Sequence, residues 1–129
     1  GGLQLLFDQN PTLKVVLSHT AMTNPSNARS ILKTYPNIML SIKVVTPTNA
    51  WKNLEPVVNS NGEVYEDWAT LFEEMPDRFV IGSDAKFMRR GFTLDTYEKM
   101  IDMVRRLLGS LSPETAQDIA YNNAKVMFP

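Results

Sequence analysis

Three segments of the chain share one pattern of hydrophobic and polar residues. Each begins with a proline, continues through four to six mostly apolar residues and stops at a polar or charged one; the segments are Pro11–His19, Pro36–Lys43 and Pro76–Asp84. A proline cannot continue a preceding helix, so each marks a new element. Apolar runs such as Val15–Leu17 and Phe79–Ile81 lack the alternation typical of a strand with one solvated face. The pattern therefore predicts three strands buried on both faces, as in a parallel sheet.

Amphipathic segments with recognisable helix starts lie between and after these strands. Asn24-Pro25 places an N-cap residue before a proline at the first helical position, which predicts a helix ending near Tyr35. The spacing of apolar residues predicts further helices over Val64–Met75, over Leu94–Leu108 between Thr93 and Gly109, and from Ser112-Pro113 toward the chain end, and Leu3–Phe7 looks like the tail of another. Gly1 and Gly2 belong to no predicted element. The alternation indicates an α/β fold in which right-handed crossovers join parallel strands.

Composition narrows the classes of function. A length of 129 residues predicts a single domain over residues 1–129. With 13 basic and 14 acidic residues, the chain lacks the positive surplus of a nucleic-acid binder, so we expect no nucleic-acid partner. It has no cysteine, which excludes disulfides, a thiol nucleophile and thiolate metal sites. No apolar run approaches the roughly 18 residues that span a bilayer and no signal peptide opens the chain, so we expect a cytoplasmic protein without a membrane partner.

Candidate chemistry lies where the predicted strands end. In parallel α/β folds, ligands bind at the carboxyl ends of the strands, where this sequence places His19, Lys43 and Asp84. Imidazole and carboxylate are common ligands of zinc, and Asp84 is also a candidate general base. Each has a simpler interpretation: a histidine that hydrogen-bonds in the core, a lysine that reaches solvent, and an aspartate that binds the backbone of the next turn. Lys43 is nevertheless a candidate substrate contact.

Two further candidate substrate contacts lie in loops. Trp51 falls within the long segment Val44–Glu63, which lacks clear periodicity; long loops after strands often carry function, although a tryptophan there more often anchors packing. Arg89 belongs to the basic segment Lys86–Gly91 just after Asp84, and an arginine fork matches a carboxylate or phosphate group. The alternative for Arg89 is a solvated loop whose long side chains cover apolar surface.

These residues carry a resemblance to a known family. The sequences Leu13–His19, Tyr35–Leu40 and Met75–Asp84 resemble the C-terminal half of the amidohydrolase superfamily, most closely the amidohydrolase-related group of metal-dependent hydrolases and decarboxylases of small acids. Pro76–Asp84 is the most specific part, and Asn122–Phe128 is similar to the family's closing Asn-Ala pattern. The resemblance extends from about Leu3 to Phe128.

The resemblance implies a fold and a chemistry. The family's fold is a TIM-type (β/α)8 barrel, so this chain would be a partial barrel of about three parallel strands with flanking helices. His19 would correspond to a late-strand histidine that binds metal or substrate. Asp84 would correspond to the last-strand aspartate, a metal ligand and proton shuttle and therefore the catalytic residue. The implied cofactor is a divalent metal, most simply zinc, that activates water or polarises a small carbonyl or carboxylate substrate.

The chain also departs from the family's pattern. The first-strand His-x-His pair is absent, Lys86 stands where a proline is common, and Thr20-Ala21 replaces a glycine-containing turn. A complete barrel needs about 250 residues, and a catalytic zinc normally keeps three protein ligands. We therefore expect either a homo-oligomer or a chain that lacks the N-terminal half of its barrel. The absence of the metal from this truncated chain is an open alternative. The function expected is that of a C-terminal portion of a metal-dependent hydrolase, with hydrolysis and decarboxylation undecided; the alternative is a non-catalytic remnant that only binds or assembles.

Overall fold

A three-stranded parallel sheet organises the molecule, whose computed structural model describes residues 1–48, 50 and 53–129. The strands are β1 (Val15–Leu17), β2 (Ile38–Ile42) and β3 (Phe79–Ile81), in that spatial order. The register places Leu17 beside Leu40 and Ile42 beside Ile81. The predicted α/β class is confirmed, and the arrangement is that of a partial TIM-type barrel.

Helices precede, connect and follow the strands. They are α1 (Gly2–Gln9), α2 (Pro25–Thr34), α3 (Glu66–Glu74), α4 (Leu94–Gly109), α5 (Pro113–Gln117) and α6 (Asn123–Met127), with one π-helical turn over Asp118–Asn122 between α5 and α6. Short 3-10 turns cover His19–Met22 and Pro76–Arg78. The side chains of Asn24, Thr93 and Ser112 accept hydrogen bonds from the backbone N–H three residues later, which satisfies otherwise unpaired donors and begins α2, α4 and α5 as predicted.

The hydrophobic core lies between the sheet and the helices. In β2, Ile38, Leu40 and Ile42 are fully buried and belong to the same core cluster as residues of α2 and α3. Phe72 of α3 packs on Trp68 and meets Phe79 of β3 edge to face, with ring centroids 4.9 Å apart. This aromatic contact ties α3 to the sheet, because large apolar surfaces removed from water dominate core energetics.

Four predictions about element boundaries and burial need correction. All three residues of the edge strand β1 are only partly buried, whereas Phe79 and Val80 of the other edge strand, β3, are buried. Residues Pro76–Arg78 form a 3-10 turn, so β3 begins later than its proline suggested. Gly2, assigned to no element from the sequence, is the first residue of α1, and the predicted last helix is interrupted by the π-helical turn.

The segment between β2 and α3 is irregular but well packed where it is described. Val44, Leu54, Val57 and Val58 are buried, and Val58 forms an isolated antiparallel bridge with Val64. Trp51 lies outside the described residues, so its predicted role stays a prediction. No helix in the described part of the chain is long and apolar enough to cross a membrane.

Candidate active site

The ends of β2 and β3 lie at the same level because of the strand register. Ile42 is paired with Ile81, and the N–H of Gly82 donates to the carbonyl of Ile42 across 3.0 Å, which brings the residues that follow each strand together. Glycine is required here because a Cβ at position 82 would lie 2.9 Å from Ser41 Oγ. This close approach places Asp84 beside Lys43.

The Asp84 carboxylate is the centre of the site. Its Oδ2 accepts a hydrogen bond from Lys43 Nζ at 2.5 Å, and its Oδ1 lies 3.2 Å from Lys86 Nζ. His19 Nε2 lies 3.6 Å from Oδ2, a contact too long for a good hydrogen bond. The side chains of His19, Lys43 and Asp84 are 20%, 16% and 21% exposed, so the cluster is partly desolvated and open to solvent on one side. The structure therefore brings together the three side chains predicted at the strand ends.

The two lysines determine the charge state of Asp84. The hydrogen bond from Lys43 lowers the pKa of Asp84 most strongly, and Lys86 lowers it further by hydrogen bonding and charge. Partial burial opposes this by raising the pKa, but the net direction is downward. Asp84 is consequently a carboxylate at neutral pH, held by two ammonium groups.

His19 is presented by an unusual turn. His19, Thr20, Ala21 and Met22 all have positive φ angles between 51° and 57°, and none of them is glycine. The left-handed region costs an L-residue on the order of 1–2 kcal/mol. Thr20 is buried, and its Oγ1 donates to the carbonyl of His19 at 2.7 Å.

A cleft of about 360 Å³ opens beside Asp84, between the strand ends and the first turns of α4. Arg89, predicted as a substrate contact, lines this cleft together with Lys43 and Asp84. The structure therefore places Arg89 next to the strand-end cluster, whereas His19 is not among the residues that line the cleft.

Sequence reasoning missed several residues around the site. In the sequence, Lys86 belongs to a basic segment and stands where a proline is common in the family; its pairing with Asp84 is visible only in the structure. Four residues of α4 also line the cleft, although the sequence pattern shows them only as parts of an amphipathic helix: Asp95, Lys99, Met100 and Met103. The signal available in the sequence was the order of the elements, because the loop that follows a parallel strand begins at the carboxyl ends of the strands and leads directly into the next helix, here α4.

The metal-ligating side chains form a pair and not a complete set. Among residues 1–48, 50 and 53–129, no group of three or more His, Asp or Glu side chains is placed to hold a metal ion. The pair His19–Asp84 is the nearest approach to such a group, and Lys43 binds the same Oδ2 atom that faces His19.

Comparison with known proteins identifies one relationship. A family model described as Amidohydrolase matches residues 3–129, which is essentially the whole chain. No curated protein and no solved structure showed a significant match.

Proposed function

The chain belongs to the amidohydrolase family, and from that premise we propose that it is the C-terminal portion of a metal-dependent hydrolase acting on a small carbonyl or carboxylate compound. The observation that carries the proposal is the convergence of His19, Lys43 and Asp84 from the turns that follow three neighbouring parallel strands. Strand ends are where the catalytic residues of such folds lie.

The proposal assigns each residue a role. Asp84, ionised at neutral pH, accepts a proton from the water that attacks the substrate's carbonyl carbon; the two lysines that lower its pKa keep it ionised but also make it a weaker base. The Lys43 ammonium lies beside the carbonyl oxygen as that oxygen gains negative charge. His19 takes that proton from Asp84 and delivers it to the leaving group when the bond between that group and the carbonyl carbon breaks.

The pair His19 and Asp84 fits two positions of a zinc centre. Two ligands at about 2.1 Å from a tetrahedral ion lie about 3.4 Å apart, close to the 3.6 Å between His19 Nε2 and Asp84 Oδ2. These two residues would hold the ion, which when bound supplies Lewis-acid activation of water or of the substrate carbonyl. Lys43 contacts the same oxygen, so the ammonium and the metal compete for Asp84.

The remaining metal ligands would come from a second copy of the chain or from an N-terminal half-barrel. The described sheet has two edge strands, β1 and β3, and all of β1 is partly exposed. Unpaired edges favour association. A homo-oligomer that brings two Asp84 centres together, or a completed barrel, supplies the missing donors in this proposal.

Hydrolysis of 4-nitrophenyl acetate in the presence of zinc tests the proposal. Asp84→Asn is expected to lower the rate at least about tenfold, since general-base groups contribute factors of this size or more. Asp8→Asn is the matched control, because Asp8 is exposed on α1 and contacts only Gln4 among the hydrogen bonds observed. Equal rates for Asp84→Asn and the wild type would contradict the proposal. They would favour the alternative, a non-catalytic binding or assembly domain, which agrees with the lack of a group of three His, Asp or Glu metal ligands among the described residues.

A further inference from the structure

We propose that Lys86 limits the affinity of the site for a divalent metal, because its ammonium group binds the Asp84 carboxylate and has to move into solvent when a metal ion takes its place. The inference rests on the proposed function and deepens it, since it concerns the regulation of the same site. It assigns a task to a side chain that departs from the family's pattern, in which a proline is common at this position.

Two ammonium groups face the single negative charge of Asp84. Lys43 Nζ donates a hydrogen bond to Oδ2, and Lys86 Nζ lies 3.2 Å from Oδ1, so each carboxylate oxygen has a cation beside it. Like charges repel most strongly at such short range. A divalent ion that approaches Asp84 is therefore attracted by one negative charge and repelled by two positive ones.

The other charged side chains of the cleft do not offset this positive excess. The carboxylate of Asp95 also lines the cleft, but it lies 2.8 Å from the ammonium group of Lys99. Arg89 adds a further positive charge to the lining. A metal ion at Asp84 consequently gains most when one of the two lysines beside the carboxylate moves away.

Lys86 is the lysine that can leave Asp84 at the lower cost. Its side chain is 48% exposed, against 16% for Lys43, so water can replace the carboxylate as its partner. Lysine has a flexible four-carbon stem, and ion pairs near the surface contribute little to stability. Lys43 directly follows β2 and is mostly buried, so it stays beside Asp84 while Lys86 moves.

The backbone around Lys86 is held by contacts that do not involve Asp84. The carbonyl of Lys86 accepts a hydrogen bond from the N–H of Arg89 at 2.8 Å, which closes a turn. The ring of the next residue, Phe87, lies 5.2 Å from the ring of Phe92 and 5.4 Å from that of Tyr97, measured between centroids. Rotations within the Lys86 side chain are therefore sufficient to release the carboxylate.

Zinc alone is the probe, and its dissociation constant is measured at neutral pH and low ionic strength by competition with a chromophoric chelator. Lys86→Met keeps an unbranched side chain but removes the charge, so this variant is expected to bind zinc at least about fivefold more tightly than the wild type. Lys86→Arg keeps the charge and is expected to stay within about twofold of the wild type. The gain in Lys86→Met should shrink at high ionic strength, because salt screens the repulsion.

Lys99→Met is the matched control, because Lys99 lines the same cleft but forms its ion pair with Asp95. A general change in the charge of the cleft would affect both variants equally, whereas the proposal predicts that Lys99→Met stays within about twofold of the wild type. Asp84→Asn, added to Lys86→Met, is expected to remove the gain in zinc affinity. Far-UV circular dichroism checks that each variant is folded.

Three results would overturn the inference: wild-type zinc affinity in Lys86→Met, an equal gain in Lys99→Met, or a gain that persists after Asp84→Asn. The measurement is also separate from the proposed function, because zinc affinity is read without turnover. Tighter zinc binding by Lys86→Met without Asp84-dependent hydrolysis means that only the proposed function fails. Asp84-dependent hydrolysis with equal zinc affinity in Lys86→Met and the wild type means that only this inference fails, and both fail if neither protein retains zinc.

Discussion

The Arg78 side chain forms hydrogen bonds with backbone carbonyls at the end of α2 and the start of β2, an arrangement called here the carbonyl clamp. Replacement of Arg78 by methionine tests whether the carbonyl clamp stabilises the sheet. The guanidinium donates four hydrogen bonds to three backbone carbonyls: from Nη1 to Leu32 at 3.0 Å, from Nη2 to Tyr35 at 2.8 Å, and from Nε and Nη2 to Ile38 at 3.0 and 2.6 Å. Arg78 directly precedes β3, so the clamp also fixes where the strand leading to Asp84 begins.

The expected loss of stability follows from these contacts. A hydrogen bond from a charged donor contributes about 1.5–3 kcal/mol, but bonds that share one group do not add. We therefore expect Arg78→Met, which keeps the aliphatic stem, to lower the free energy of unfolding by about 3 kcal/mol. For a chain of this size that corresponds to a fall in Tm of about 10 °C. Arg78→Lys keeps the charge but not the fork, so its expected loss is about 2 kcal/mol.

Urea unfolding followed by far-UV circular dichroism measures both losses. Arg105→Met is the matched control, because among the described residues Arg105 makes only an exposed pair with Asp102 at 3.3 Å. Its replacement is expected to change the free energy of unfolding by no more than about 0.5 kcal/mol. If Arg78→Met also stays within about 0.5 kcal/mol of the wild type, the carbonyl clamp does not stabilise the fold and this reasoning is refuted.

Three further predictions concern single side chains. The folded-state pKa of Asp84 is lowered mainly by Lys43. The wild type should therefore be more stable than Lys43→Met by a constant amount above about pH 5, and this difference should shrink below about pH 4 as Asp84 is protonated. If the pair contributes nothing to stability, urea unfolding at several pH values will show no such change. Met22→Gly should raise the free energy of unfolding by about 0.5 kcal/mol, because exposed Met22 has a φ of 52° and glycine adopts that conformation without the steric cost of a Cβ atom. Met22→Ala keeps that cost and should show no gain. Equal effects of the two substitutions would contradict the explanation. The Glu73 carboxylate caps the start of α5, where it accepts hydrogen bonds from the N–H and Oγ of Ser112 at 2.6 and 2.9 Å and from Oγ1 of Thr115 at 2.6 Å. Glu73→Gln should therefore lower the free energy of unfolding by about 1 kcal/mol. An unchanged urea midpoint would show that these contacts are not stabilising.

The strands and helices could be predicted because their signals are local. A proline before an apolar run, as at Pro36, marks a strand start, and an N-cap residue such as Asn24 or Ser112 marks a helix start whatever the rest of the fold does. The exposure of β1 could not be predicted in this way. How much of a strand is covered depends on the elements that pack beside it and on it, which Val15–Leu17 themselves do not encode: β1 and β3 are both edge strands, but only β3 has buried residues.

The candidate site could be predicted in part for the same reason. The rule that ligands bind at strand ends selected His19, Lys43 and Asp84, but the contact between Lys43 and Asp84 depends on the register of β2 and β3 and on the space left at Gly82. The contribution of Lys86 depends on a turn at Asp84, whose φ is 50°. Such a conformation is rare for non-glycine residues, and aspartate adopts it more readily than most.

Native mass spectrometry of the purified chain after exposure to zinc tests the central claim most directly, because one spectrum reports both the number of subunits and the bound metal. The account predicts assemblies of two or more copies that retain zinc in the wild type and in Asp8→Asn and lose it in Asp84→Asn. Equal zinc content in Asp84→Asn and the wild type would contradict the claim that the strand-end carboxylate is the centre of a metal-dependent site.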